Sequence, residues 1–432
     1  MISEARRIAF EVLCQISLRG AFSDNAVHSK LASDLALRDR RLMTELVYGT
    51  LRWQGLLDHA LMQVSARAWD EVDPELRVLL RISLYQMWFT ERVPDHAILD
   101  DAVELAKRRS TKSASGFVNA VLRTLSRWRP WADPETIRSW PPWVQVSLPK
   151  WLWERWSDRL GVDRARAYSL SLNQAPRCAV RAVPGSRGTI KGPCAIEASD
   201  LVPGAHFLAA GSSSRDLPPG FMVQDEASQL IPQLLGSTTS RHVWDTCAAP
   251  GGKSAILSEM CGESGWVVSS DLNRRRARQL SSALLSLSQR SGSMVLVADA
   301  RRSPPFRTCF DAVLADVPCS GLGTLRRNPE IKWRVQPKQL ARFQREQLAI
   351  LRSVSESVRI GGLLLYSTCS TEPEENEQVV ERFLGSHRQF RIRKPQFPPG
   401  IEAWLDGEGL LRTFIEARPW DGFFAALMAR SR

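Results

Sequence analysis

Apolar residues recur at helical spacing through roughly the first 130 positions of the chain. Ile8, Ala9, Val12, Leu13 and Ile16 form one stripe, and Leu42, Leu46, Val47 and Leu51 form another. Stretches 76–89, 96–106 and 114–125 repeat the pattern. Residues three and four apart share a helix face, so each stretch predicts an amphipathic helix. Turn signals such as Val93-Pro94-Asp95 separate the stretches, and period-two alternation is weak. Residues 1–139 therefore predict an all-helical domain of about five to seven helices.

Prolines 130, 134, 141, 142 and 149 then interrupt any long helix. A Trp-rich helical stretch follows over 150–172, with short strand-like pieces at 178–183, 195–197 and 207–208. Residues 140–220 read as a small α/β connecting module. From 221 to 432 strand and helix patterns alternate. Strands are predicted at 243–245, 265–270, 293–298, 311–315 and 362–367, with helices at 254–261, 274–287 and 339–359 between them. That order predicts a doubly wound parallel sheet, in which ligands bind outside the carboxyl ends of the strands. Four strands in a row end near an acid or a cysteine, namely Asp271, Asp299, Asp316 and Cys369.

Composition narrows the class. A chain of 432 residues with 44% apolar content fits two or three globular domains. The N-terminus carries charges where a signal peptide needs its apolar run, and no stretch approaches the ~18 apolar residues of a membrane span. A soluble, cytoplasmic protein with no membrane association is expected. The net charge of +12, most of it beyond residue 240, points to an acidic partner such as nucleic acid. The eight cysteines are scattered and form no CxxC pair, so neither a metal site nor a disulfide framework is expected.

Three sets of residues carry candidate chemistry. Asp245-Thr246, then Cys247, Ala248, Ala249, Pro250, Gly251, Gly252 and Lys253, follow a strand and open a helix. Glycines there let a ligand approach the backbone, and the helix start offers free N–H groups. The spacing is not that of a phosphate-binding P-loop, so a small carboxylate-bearing ligand suits it better. Asp271 and Asp299, at consecutive strand ends, suit a ribose and an adenine, although Asp at such places also serves simply as a helix cap. Asp316-Val-Pro-Cys319-Ser and Ser367-Thr-Cys369-Ser put an acid and two cysteines at the same sheet edge. Cytosine carbon 5 is a poor nucleophile. A thiolate adding to carbon 6 activates it, and a base must later remove the carbon 5 proton, which a Cys–Cys–Asp set can serve.

The runs DTCAAPGGKS, DLNRRRARQL, DAVLADVPCSGLGTLRRNPEIKWR and YSTCSTEPEENEQVV resemble the RNA cytosine-5 methyltransferases of the Nol1/Nop2/Sun family over about 200 residues. The resemblance implies an α/β chain with a Rossmann-like methyltransferase domain and S-adenosylmethionine as methyl donor. It implies Cys369 as nucleophile, Cys319 as an aid to product release, and Asp316 as a contact to the target base beside the donor. Cys247 to Lys253, with Asp271 and Asp299, would hold the donor. Arg41 to Trp53 and Asn119 to Arg123 resemble the NusB-like RNA-binding domain. That pairing is the arrangement of bacterial enzymes acting on 16S ribosomal RNA, either protein-free or in an early assembly intermediate, with no obligatory protein partner. Transfer RNA, another ribosomal site, or a non-catalytic RNA-binding role are the alternatives. Arg326, Arg327, Lys332 and Arg334, and separately Lys107, Arg108, Arg109 and Lys112, are candidate linings of an RNA groove, or else solvated faces.

Overall fold

The computed structural model describes every residue except 1, 32–34, 92, 110–111, 129–133, 183–195, 210–216, 218–220, 239–240, 288–292, 305, 307–309, 396–399, 415–419 and 432. The expected strand piece at 195–197 lies partly outside the described residues. The chain divides into two compact units, Met1–Ala175 with Leu325–Arg334, and Pro176–Thr324 with Val335–Arg432. The division falls inside the stretch 140–220 that was expected to form one module.

The first unit is helical. Seven helices, Glu4–Arg19, Ser23–Leu31, Leu37–Arg52, Gln54–Val64, Pro74–Phe89, Asp95–Arg109 and Lys112–Arg127, cover the region where five to seven were expected. Their apolar stripes meet in one core that includes Phe10, Leu13, Met43, Leu46, Leu80 and Leu122. Local chemistry sets the boundaries. Asp73 accepts from the backbone N–H groups of Glu75 and Leu76, with Pro74 opening the helix, and Gly20 ends the first helix in a left-handed conformation. At Gly49 a Cβ would lie 2.0 Å from the Tyr85 ring, so only glycine admits this approach.

A second group of helices, Pro134–Ser139, Pro142–Gln145, Lys150–Leu160 and Val162–Ser171, completes the unit together with Leu325–Arg334. That segment corrects the reading of three of its basic residues, Arg326, Lys332 and Arg334, as an RNA groove. Lys332 is wholly buried, and its ammonium donates to Asn173 Oδ1 at 2.6 Å and to the carbonyls of Arg52 and Ser147 at 3.2 and 3.4 Å. Arg326 is buried too and donates to Ser171 Oγ. Trp333 Nε1 donates to the Leu51 carbonyl at 3.1 Å, and Arg334 donates to the carbonyls of Ile16, Gly20 and Ala21. These cations satisfy carbonyls at helix ends, where the backbone leaves acceptors unpaired.

The second unit contains two sheets. Strands β1 (Ala179–Ala182), β2 (Ile196–Ala198), β3 (Ala205–Leu208) and β4 (Phe221–Val223) form an antiparallel sheet in the order β2-β3-β1-β4. The large sheet has β5 (His242–Asp245), β6 (Trp266–Asp271), β7 (Ser293–Val297), β8 (Phe310–Asp316) and β9 (Val358–Thr368) running parallel in the order β7-β6-β5-β8-β9. These are the five predicted strands. β10 (Phe390–Ile392), β11 (Leu411–Arg412) and β12 (Phe424–Arg430) add an antiparallel margin. Strand order reverses between β5 and β8, which is where a crevice opens at the carboxyl edge. Among the described residues no helix is long and apolar enough to cross a membrane.

The burial of Lys332 has a measurable consequence. Lys332→Met should lower the unfolding free energy by about 1–3 kcal/mol, because three acceptors lose their donor. Urea or thermal unfolding checks this. A solvated phosphate contact would leave the midpoint unchanged.

Candidate active site

The strand-order reversal sets Asp245, at the end of β5, beside Asp316, at the end of β8. Between β5 and the helix Gly252–Met260 the chain turns through Gly251 at φ 116°. A Cβ there would also meet Leu280 Cδ1 at 2.9 Å. At Gly252 a Cβ would meet Met222 and Gln224, so the end of β4 closes tightly over the turn. The result is a cavity of about 320 Å³ lined by Asp245, the loop 247–250, Gly252, Lys253, Ala283 and Asp316, with Met222, Gln224 and Ser228 on its other wall.

The cavity gathers most of the predicted donor residues but not all. Cys247, Ala248, Ala249, Pro250, Gly252, Lys253 and Asp316 line it, whereas Gly251, Asp271 and Asp299 do not. Asp271 is buried, accepts from the Asn273 N–H at 2.8 Å and lies 3.5 Å from an Arg276 guanidinium nitrogen. Asp299 is held by both Nε and Nη2 of Arg301 at 2.9 Å, and this hydrogen bonding keeps its carboxyl below the usual range. The Arg-rich sequence around these acids therefore supplies their partners. Conversely, Met222, Gln224 and Ser228 were not among the predicted site residues, and Asp245, which opens the loop motif, carried no ligand contact of its own in the sequence. The wall residues carry no motif, because they reach the site only through the fold of the small sheet.

The second half of the site stands on β8 and β9. These strands are parallel neighbours with Asp316 opposite Ser367. The loops that leave them bring Cys319 and Cys369 together, with Sγ atoms 3.0 Å apart. Asp316 is braced on both oxygens. Ser367 Oγ donates to Oδ1 and the Lys253 ammonium to Oδ2, each at 2.7 Å. Burial opposes the charge on Lys253, but Asp316, Cys369 and Asp245 outweigh it and hold the ammonium above its ordinary range. Its Nζ also lies 5.0 Å from the centre of the Phe423 ring.

The two thiols are not equivalent. The hydrogen bond with Cys369, burial, and then the negative charges of Cys369 and Glu375 hold the Cys319 proton far more firmly than usual. Either sulfur can donate across the 3.0 Å gap, but the proton on Cys319 is the one held in place. Cys247 is a third thiol near the site. Burial pushes it up to about 12.

Comparison with known proteins shows the family. Residues 232–429 match the 16S rRNA methyltransferase RsmB/F family and residues 3–127 match the NusB family. Over 460 aligned positions, covering 99% of each chain, the protein is 33% identical to the probable ribosomal RNA small subunit methyltransferase B of Bacillus subtilis. The chain belongs to the ribosomal RNA small subunit methyltransferase B family. The Thermus thermophilus ribosomal RNA small subunit methyltransferase B is 34% identical over 98% of this chain and 97% of its own. The solved structure of PH0851 is similar over 99% of this chain and 98% of its own, with a TM-score of 0.81 and 25% identity. A methyltransferase homolog from Pyrococcus horikoshii shares the fold over 69% of this chain and all of its own, with a TM-score of 0.55 and 21% identity.

A methyltransferase B family member uses S-adenosylmethionine as methyl donor, and the cavity fits such a molecule. Its wall is apolar at Met222, Ala248, Ala249 and Ala283. At its base Asp245 is 1% exposed; its Oδ2 accepts from Ser254 Oγ at 2.7 Å, and its buried Oδ1 makes no hydrogen bond of full geometry, although the Cys247 N–H favours the charge. A buried carboxylate oxygen short of a full hydrogen bond suits a cationic group. Burial pushes the Asp245 carboxyl up to about 7, so below that pH the free protein carries it protonated. Affinity for S-adenosylmethionine, measured by calorimetry, should be flat above about pH 7.5 and fall toward tenfold per unit below about pH 7. Asp245→Asn should flatten the profile at the weaker level. A flat wild-type profile would remove Asp245 from the donor's partners.

Proposed function

We propose that this chain transfers a methyl group to carbon 5 of a cytosine in 16S ribosomal RNA, with Cys369 as covalent nucleophile and Cys319 as the residue that releases the product. The observation that carries the reading is the 3.0 Å approach of the two sulfurs beside the Lys253–Asp316–Ser367 network. Two thiols at one strand edge are needless for methylating an amine or a hydroxyl, whose lone pairs attack a methyl donor directly. They are needed for an aromatic carbon that must first be activated.

The Cys369 thiolate gives its electron pair to carbon 6 of the base, and the carbon 5–carbon 6 π pair moves toward carbon 5. Lys253, whose charge Cys369 helps to hold, supplies the cation of this site. Asp316, fixed by Ser367 and Lys253, is an acceptor for the amino group of the base and stands on the wall of the donor cavity. S-adenosylmethionine, when bound, supplies the methyl group as an electrophile. Once Cys369 is bonded to carbon, it is neutral and no longer accepts from Cys319. The largest cause holding the Cys319 proton is then gone, and that proton can leave to solvent. Cys319 takes the carbon 5 proton, the carbon 5–carbon 6 double bond re-forms, and the sulfur–carbon 6 pair returns to Cys369.

Cys247 to Lys253 hold the donor in this reading, and Asp271 and Asp299 remain its proposed nucleoside contacts through partners they would exchange on binding. The NusB-like helices supply positioning contacts to RNA phosphates, which give register and affinity. The RNA is protein-free 16S ribosomal RNA or an early assembly intermediate, and the setting is the cytoplasm. Methylation of unmodified, protein-free 16S RNA followed by mapping of 5-methylcytosine tests the substrate. Methyl groups appearing only on transfer RNA, or none at all, would overturn it.

Cys369→Ala should reduce methyl transfer by at least about a thousandfold while leaving donor affinity within about twofold, because the thiolate serves the base. Single-turnover transfer and calorimetry check the two halves. Cys319→Ala should accumulate a covalent RNA adduct when donor is present, visible on a denaturing gel. Equal traces of adduct in this variant and the wild type would refute the division of labour between the two sulfurs.

A further inference from the structure

Behind the two cysteines lies a carboxylate that touches neither sulfur and no wall of the donor cavity. Glu375 is wholly buried. Its Oε1 accepts from the Ser320 N–H at 2.8 Å and from Gln347 Nε2 at 3.0 Å. Its Oε2 accepts from Ser320 Oγ and from Ser370 Oγ. Ser320 follows Cys319 in the chain and Ser370 follows Cys369. One side chain thus grips the residue after each cysteine. Its own backbone is fixed in turn, since Tyr366 Oη donates to the Glu375 carbonyl. The next residue reinforces the grip on one loop, with Asn376 bridging Thr368 Oγ1 and the Ser370 carbonyl on either side of Cys369.

We propose that Glu375 is the positioning residue that clamps the two cysteine loops at their working separation and reserves the nucleophile's part for Cys369. The inference rests on the cysteine chemistry proposed above. Four donors on two oxygens leave no acceptor for a carboxyl proton, so the group serves as a buried anion. Burial pushes its carboxyl up, and the Ser320, Ser370 and Gln347 donors act against that. The same negative charge adds to the forces that keep the proton on Cys319. A neutral residue of equal shape would keep part of the clamp and lose the charge. Oε2 alone joins the two loops through Ser320 and Ser370, and Oε1 fixes that fork to the Ser320 backbone and to Gln347.

The test uses the full chain with Glu375→Gln. Iodoacetamide labelling, resolved by peptide mass spectrometry, reads each sulfur separately and needs no RNA. Wild type should label Cys369 ahead of Cys319, and the variant should cut that preference by about fivefold or more, because Cys319 loses a restraint on ionisation. In RNA methylation, kcat should fall by about tenfold with KM for RNA and donor affinity within about twofold, the pattern of misplaced groups as opposed to lost binding. An unchanged labelling preference overturns the proposal whatever happens to kcat. If Glu375→Gln melts early, Ser320→Ala and Ser370→Ala each remove one of the four donors while keeping the charge, and each should change the labelling preference through the loosened loop alone. Wild-type labelling in both would overturn the clamp. If wild type forms no adduct with RNA containing 5-fluorocytosine while the labelling shifts as stated, the clamp stands and the covalent cysteine chemistry fails.

Discussion

The parallel pairing of β8 with β9, with Asp316 opposite Ser367, is the constraint on which the rest of the site depends. Parallel neighbours deliver their carboxyl ends to the same edge, so whatever follows each strand emerges side by side. With that register Cys319 and Cys369 leave the sheet as near neighbours, Asp316 receives a hydrogen bond from the strand next to it, and both serines come within reach of one carboxylate. A one-residue slip would turn every side chain of one strand to the opposite face and scatter the set. The buried, nearly continuous apolar runs 312–315 and 363–366 guard against the slip, because both faces of these strands are packed.

The pocket edge is also a problem in charge. Lys253, Asp316, Asp245, Glu375 and two thiols occupy a space with little water. Such groups persist only where each finds partners of opposite sign or hydrogen bonds. Lys253 answers Asp316, four donors answer Glu375, and Cys319 keeps its proton. Asp245 Oδ1 is buried without a geometrically good donor, and it lies on the cavity where a ligand's cation would face it. The balance makes two neighbouring cysteines with nearly identical local sequences, PCS and TCS, unequal, because Cys319 holds its proton far more firmly than usual.

Much of this was legible in the sequence, for identifiable reasons. The helical stripes and the five parallel strands follow from burial alone, since period and run length record which faces meet the core. Cys319, Cys369 and Lys253 could be found because strand ends are the edge where such sheets bind ligands. Other features were hidden. Lys332 looked like a surface cation because sequence records charge and not burial, and its acceptors, Arg52, Ser147 and Asn173, are scattered along the chain. The arginine partners of Asp271 and Asp299 were hidden because sequence alone does not say which arginine beside them turns toward the acid. Met222 and Gln224 sit in a short strand with no motif, and Glu375 is one of several acids in a row, indistinguishable until its burial is known.

The segment Leu325–Arg334 makes the helical unit discontinuous in the gene. Ten residues encoded far downstream fill space among helices encoded at the start, with Trp333 against Gly55 and Arg334 on the end of the first helix. The chain is therefore not a string of exchangeable modules. Recombination that swaps the leading helices between relatives would separate a lock from its key, and Gly55 could not drift to a larger residue while a tryptophan sits 2.7 Å from where its side chain would begin. Selection must act on the two stretches as one heritable piece, and an engineered chimaera would have to carry both.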